Sequence, residues 1–515
     1  MASLRRVVEL STIAWIAIAV LAPEPAAAQI AQERVDLAVM QRIRDEGFSR
    51  SYIADLARVL TDEIGPRLTG SPGLRKAHEW TAGKFREWGL AKVEVEPWGE
   101  FGRGWENVSY SGRFLTPFFQ PLLGIPQAWT GSTRGVVTGP AVIVRADRPE
   151  DLMHYRGKLR NAFLLLEPPV EIPPEFEPHA LRRPLDVLFG PFELYEKERN
   201  WELELRGGQI LAERSRQQEL RTALLRLLPD EGIAAILMPS SRAFGILRVG
   251  GSAVGRDSKN PIPLPELVIS HEQYGRIWRA AGRGIPVNLE INIQNRFDGQ
   301  DLSAYNTVAD IPGTDRSAEY VILGAHLDSW HPGTGATDNG AGSLVMMEAV
   351  RIIKALGLTP RRTIRVALWS GEEQGLLGSR GWVRRHQDLW PAISAYVNLD
   401  NGTGKIRGIW NQSNAAATPV FEQILWPFRD LGVVVVRPGD TGGTDHLAFD
   451  EVGIPGFNFM QDPIESEIRA HHTIADTYER LMIEDLEQAA VIVAAVVYDL
   501  AMRDEMMPRK PAPAK

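Results

Sequence analysis

Within this 515-residue chain, Tyr320–Glu373 constrains the fold more than any other stretch. It reads YVILGAHLDSWHPGTGATDNGAGSLVMMEAVRIIKALGLTPRRTIRVALWSGEE. One apolar run ends in His326, with Asp328 just beyond it. A loop rich in Gly, Pro and Thr leads to Asp338, which is expected to open a helix. A second apolar run, Ile364–Trp369, is followed by Glu372 and Glu373. Carboxylates and an imidazole that follow buried segments face one sheet edge, where open α/β sheets place their chemistry. The stretch reads as half of a metal site.

The other half lies downstream. A strand at Ala395–Val397 runs into Asn398-Leu399-Asp400, and a loop carries His471-His472-Thr473 ahead of Asp476. The candidate ligand set is therefore His326, Asp338, Glu373, Asp400 and His472. Imidazoles mixed with carboxylates suit borderline divalent ions, zinc first and cobalt or manganese after it; all-oxygen ligation would point to magnesium or calcium. Apolar runs at Val321, Ile364, Ala395, Val433 and Phe457 alternate with helical segments at 342–356, 375–387, 417–430 and 482–502. That alternation predicts an α/β fold, a mainly parallel mixed sheet flanked by helices on both faces.

Upstream, Val35–Leu60 reads as two helices with a break near Glu46-Gly47, and Ser71-Pro72 opens a further helix. Residues 130–297 carry short strand-like runs and read as an inserted β-rich second domain. Around it lie catalytic segments at 29–129 and 298–507, and a tail at 508–515 is expected to be disordered. Within the insert, 168–184 is Pro-rich and 192–228 is charged and helix-forming. Arg5-Arg6, the apolar Val7–Leu21 and Ala26-Ala27-Ala28 read as a secretory signal peptide over 1–28, with an uncleaved anchor as its alternative. The expected location is periplasmic or secreted. There is no Cys, so an exported form has no disulfides to rely on. A net charge of −8 argues against nucleic-acid binding, and no later apolar run is long enough to span a bilayer. His78, His154, His179, His271 and His386 are expected at the surface, and His331 is a weak candidate for substrate contact.

H-L-D, T-D-N-G-A-G, S-G-E-E-Q-G-L-L-G-S, N-L-D, G-G-T-D-H and H-H-T-x-x-D-T occur in that order over 320–477. Together they resemble the co-catalytic di-zinc aminopeptidase family. The insert is similar to the protease-associated domain of its plasma glutamate carboxypeptidase and vacuolar aminopeptidase Y branches. Ile64–Ser71 resembles the family's N-terminal segment. The resemblance implies two zinc ions, one held by His326 and Asp400 and the other by Glu373 and His472. Asp338 would bridge them, with a cis peptide after it. It also implies that Asp328 orients His326 and that Glu372 is the general base. Asp445 and His446 would bind substrate, here the free amino end of a peptide or dipeptide, and a homodimer is compatible with it. Two other readings share the motifs: a glutaminyl cyclase-like acyltransferase, and a non-catalytic binding relative.

Overall fold

The computed structural model describes residues 32–174, 176, 180–190, 219–228, 230–251 and 253–511. The expected signal peptide, His179 and most of the charged 192–228 segment lie outside the described residues; 219–227 is helical.

The main sheet has eight strands. In spatial order they are Ala91–Glu100, Ser303–Ile311, Arg362–Trp369, Arg316–His326, Ile393–Asn398, Gly456–Gln461, Ile406–Trp410 and Val435–Arg437. The four strands from Arg362–Trp369 to Gly456–Gln461 are mutually parallel, and antiparallel neighbours flank them on both sides. Arg362–Trp369, Ile393–Asn398 and Gly456–Gln461 are buried throughout, as strands covered on both faces must be. From Arg316–His326 the chain goes first to the neighbour on one side, Arg362–Trp369, and then to Ile393–Asn398 on the other. The reversal leaves a crevice at the C-terminal end of Arg316–His326, where open α/β sheets bind ligands.

Helices Leu37–Ser49, Ala341–Ala355 and Ile483–Met502 pack with this sheet into one apolar core. Ile483–Met502 is buried along most of its length, which accounts for its nearly uninterrupted apolar sequence. The break expected near Gly47 falls instead at 50–52, between Leu37–Ser49 and Ile53–Arg58. Gly47 sits inside the first helix because a Cβ there would stand 2.3 Å from Val491 Cγ2. The glycine permits a close helix crossing rather than a turn. Ser71 caps the helix Pro72–Glu87, its hydroxyl accepting from Leu74 N at 3.2 Å. Asp338 does not open a helix directly: Asp338 and Asn339 have non-helical backbone angles, and the regular helix starts at Ala341.

A second eight-stranded mixed sheet contains strands drawn from Gly104–Thr116 through Asn288–Asp298. It begins upstream of the composition change near Trp129, because Gly104–Thr116 pairs antiparallel with Asn288–Asp298 along its length. The tail expected to be disordered is in part held down. Arg509 donates to the carbonyls of Gly453, Trp390 and Ile393, and Lys510 pairs with Asp450 at 2.8 Å. Among the described residues no helix is long and apolar enough to cross a membrane.

Candidate metal centre

Each candidate ligand leaves the C-terminal edge of the parallel strands or a loop folded over it. His326 ends Arg316–His326, and Glu372 and Glu373 follow Arg362–Trp369 in a turn. Asp400 follows Ile393–Asn398. Gly371, at φ +70°, makes the tight bend that turns two successive carboxylates toward one crevice. His472 arrives from the 471–477 loop with a left-handed φ of 61°, an uncommon conformation for a residue with a side chain.

The two candidate imidazoles converge on Asp338. His326 Nε2 lies 3.4 Å from Asp338 Oδ1, and His472 Nε2 lies 3.3 Å from Asp338 Oδ2. Each imidazole also faces a carboxylate of its own: Asp400 Oδ1 at 3.6 Å from His326, and Glu373 Oε2 at 2.9 Å from His472. The Asp338–Asn339 peptide is cis. Donor atoms of His326, Asp338 and Glu373 lie within 4.8 Å of one another, as do those of Asp338, His471 and His472. Either group could hold a metal ion.

The electrostatics show the centre to be short of positive charge. Burial works against a charged His326, yet Asp400, Glu372, Asp328 and Asp338 together push its pKa well above the usual imidazole range. His472 is likewise raised to about 10, burial being overcome by Glu373 and Asp338. Burial and the Asp338 carboxylate lift Glu373 to about 7. Asp338 is held well below the usual carboxylate range, its burial outweighed by the two histidines. Among the described residues, Asp338 Oδ2 and Glu373 Oε1 are buried with no hydrogen-bond partner, as ligand atoms turned toward a metal would be. The donor set fits divalent metal.

Glu372 stands to one side, Oε2 at 3.9 Å from His326 Nε2. Burial and the carboxylates of Asp400, Asp445 and Glu373 push it well above the carboxylate range, against the pull of His326. Asp328 joins the two loops. Its main-chain carbonyl accepts from His326 Nδ1 at 3.0 Å, and its carboxylate accepts from Glu372 N and Glu373 N, each at 3.4 Å. Main chain rather than side chain therefore makes the shorter contact to His326, the carboxylate lying at 3.5 Å.

Asp445 and His446 were expected to touch substrate, but both are 0% exposed. His446 Nε2 donates to Thr441 O at 3.0 Å, and burial holds its pKa at about 4. Burial lifts Asp445 to about 7, against the pull of His326 and Ser379. Both therefore lie away from the solvent-exposed surface. His331 is tied to Pro126 O at 2.8 Å and packs edge-on against Trp105. His78, expected at the surface, is buried with Nδ1 2.8 Å from Thr307 Oγ1.

Two contributors carried only a weak sequence signal. His471, which adjoins a candidate ligand, brings Nε2 to 3.8 Å from Asp338 Oδ2. Asp476 accepts from Thr337 N at 2.6 Å, Thr337 Oγ1 at 2.8 Å and Asp338 N at 3.2 Å, and so fixes the backbone of Asp338. The spacing H-H-T-x-x-D-T contains both, but spacing alone does not say which member binds and which supports.

Carboxylates and imidazoles gathered at the switch point of a mixed α/β sheet make a site suited to divalent metal. Residues 306–497 match the model of Peptidase family M28. Mouse (Mus musculus) Carboxypeptidase Q is 26% identical over 488 residues, covering 93% of this chain and 91% of that relative. The crystal structure of a Peptidase M28 precursor from Shewanella amazonensis superposes with a TM-score of 0.66 at 26% identity, over 92% of this chain and 99% of that one. A zinc aminopeptidase from Bacillus subtilis shares the fold with a TM-score of 0.56 at 19% identity, over 88% of this chain and 95% of that one.

Proposed function

We propose that this chain is an exported exopeptidase that works with two zinc ions and hydrolyses peptides or dipeptides from their free amino end. One observation carries the reading: Asp338 presents one carboxylate oxygen to each of two imidazoles, and each imidazole has its own further carboxylate. Such an arrangement gives two donor sets sharing one bridge. His326 and Asp400 would hold one ion, Glu373 and His472 the other, and Asp338 both. The zinc aminopeptidase of the same fold favours zinc, as does the mixed nitrogen and oxygen ligation. Bound there, the ions would acidify a water and polarise the scissile carbonyl.

Glu372 does the proton work. Its raised proton affinity suits a base that takes the proton of the attacking water and returns it to the departing nitrogen. The water oxygen forms the new bond to carbon as the C–N bond breaks, and the leaving amine departs neutral. Asp328 keeps His326 and the Glu372–Glu373 turn in register. The acidic mouth of the crevice, with Asp400 and Glu372 partly accessible, favours a substrate's protonated amino group. The second sheet would be an inserted domain (residues 130–297 by composition) that walls the cleft. A homodimer belongs to the same proposal and is checked by sedimentation.

Metal analysis and digestion of a peptide library, with and without chelator, test the reading. Zinc in the purified protein and hydrolysis that stops with chelator and returns with zinc are expected. Hydrolysis indifferent to metal would overturn it, as would cyclisation of an N-terminal Gln peptide in place of hydrolysis.

A further inference from the structure

We propose that Arg67 and Thr69, which lie upstream of the matched residues 306–497, are positioning residues of the metal centre; the inference rests on the metal-centre reading above. Both are buried, at 0% exposure. They belong to a short strap, 65–70, that links the one-turn helix Val59–Ile64 to the helix Pro72–Glu87.

Thr69 joins the two loops that carry the chemistry. Its hydroxyl donates to Asp328 Oδ2 at 2.8 Å and accepts from Gly371 N at 3.1 Å. A hydroxyl has a single hydrogen, so the carboxylate takes it and a lone pair serves the N–H. Asp328 belongs to the loop after His326, and Gly371 precedes the Glu372–Glu373 pair. One oxygen atom thus ties the segment bearing a ligand of the first ion to the segment bearing the base and a ligand of the second.

Arg67 fixes the first of these segments along its length, the loop from His326 to Asp338. Its guanidinium meets main-chain carbonyls rather than a carboxylate: Nε donates to Leu327 O at 2.7 Å, Nη1 to Thr334 O at 2.6 Å and Gly65 O at 3.3 Å, and Nη2 to Gly335 O at 2.7 Å. Its main chain pairs with Ser329 in both directions, Arg67 N to Ser329 Oγ and Ser329 N to Arg67 O, each at 3.1 Å. The start and the end of the 327–335 loop are therefore clamped by one rigid planar group. Gly335 is part of the fit, since a Cβ there would stand 2.9 Å from Arg67 Nη2 and 2.3 Å from Ser329 Cβ. The charge of Arg67 lies in the field of Asp476, Asp328, Asp338 and Glu373. It offsets part of their mutual repulsion without occupying a ligand position.

The test compares Thr69→Val, Thr69→Ser and Arg67→Lys. Zinc affinity of the metal-stripped protein, kcat and KM are measured, together with the thermal melt of the metal-free form. Thr69→Val keeps the shape and loses the hydroxyl; it is expected to bind zinc about 10- to 100-fold more weakly and to lose kcat by a similar factor, with KM within about twofold. Thr69→Ser restores the hydroxyl and is expected to return both to within about threefold of the parent. Arg67→Lys keeps the charge but cannot span several carbonyls, and is expected to weaken zinc by about 10-fold. Thr69→Ser as impaired as Thr69→Val would overturn the proposal, since packing and not the hydroxyl would then matter. Zinc affinity within about twofold of the parent in both Thr69→Val and Arg67→Lys would also overturn it. So would loss of a cooperative melt in the metal-free variants, which would make the strap a folding element only. A parent protein that binds no zinc would remove the metal-centre reading itself.

Discussion

Asp338 is the residue on which the centre turns. Its two oxygens face His326 and His472, and its backbone is held by Asp476. On the proposed two-ion reading, Asp338→Ala should therefore abolish stable metal binding, read as metal content after dialysis; zinc content equal to the parent would refute the bridge. Glu372 is different, being beside the donor sets rather than in them. Glu372→Gln should keep the metal and lower kcat by about 10²- to 10⁴-fold, the usual worth of a positioned acid–base group. Activity within a few-fold of the parent would show that another group moves the proton. The ligand candidates were readable because each terminates a buried run or opens a motif at fixed spacing. Arg67 and Thr69 were not, because a Thr beside glycines looks like any loop residue until its partners far along the chain are known.

At the scale of elements, close packing overrides local propensity. Gly47 reads as a break and is a crossing point. Gly47→Ala should destabilise the protein by about 1–3 kcal/mol through overpacking against Val491 and Ile352, despite the better helix propensity of Ala. Gly83, in helix Pro72–Glu87, has nothing within 4 Å of a built Cβ. Gly83→Ala should instead stabilise by about 0.5–1 kcal/mol. Urea unfolding of the pair checks the opposite signs; equal shifts would show that propensity alone rules both sites. The strand–helix alternation of the catalytic half was legible because fully covered strands are uniformly apolar. The start of the second sheet was not, because Gly104–Thr116 pairs with a strand that comes much later in the chain.

Across the whole molecule, distant segments meet in ways that carry a pH signature and support the site. Asp499, near the end of helix Ile483–Met502, is buried and lies in the field of Asp36 and Glu33; burial first, then those two charges, raise its pKa to about 8. The folded state thus holds a proton that the unfolded chain releases near its ordinary value of 3.8. Its stabilising contribution is complete below that value and is lost as pH rises toward about 8. Asp499→Asn should remove the loss, matching the parent near pH 4 and exceeding it by on the order of 2–4 kcal/mol near pH 8. Thermal melts of the metal-loaded proteins across that range check it; a constant difference would exclude titration of Asp499. Elsewhere the second sheet's unit reaches the metal centre. Val249 N donates to His472 O and Ile474 N to Leu247 O, each at 3.0 Å. The left-handed His472 is held from outside the catalytic sheet.

By itself the sequence determined the sheet-and-helix alternation, the candidate metal-binding side chains and the strand ends from which most of them leave. These are local properties, set by apolar runs, their lengths and the polar residues that stop them. Only the tertiary structure decided that His326 and His472 take opposite oxygens of Asp338. It also decided that Asp445 and His446 lie below the surface, and that Arg67 and Thr69 join loops hundreds of residues away. Those outcomes depend on which segments become neighbours when the two sheets pack. A hydrogen-bonding side chain in a loop carries no mark of its partner until the chain has folded.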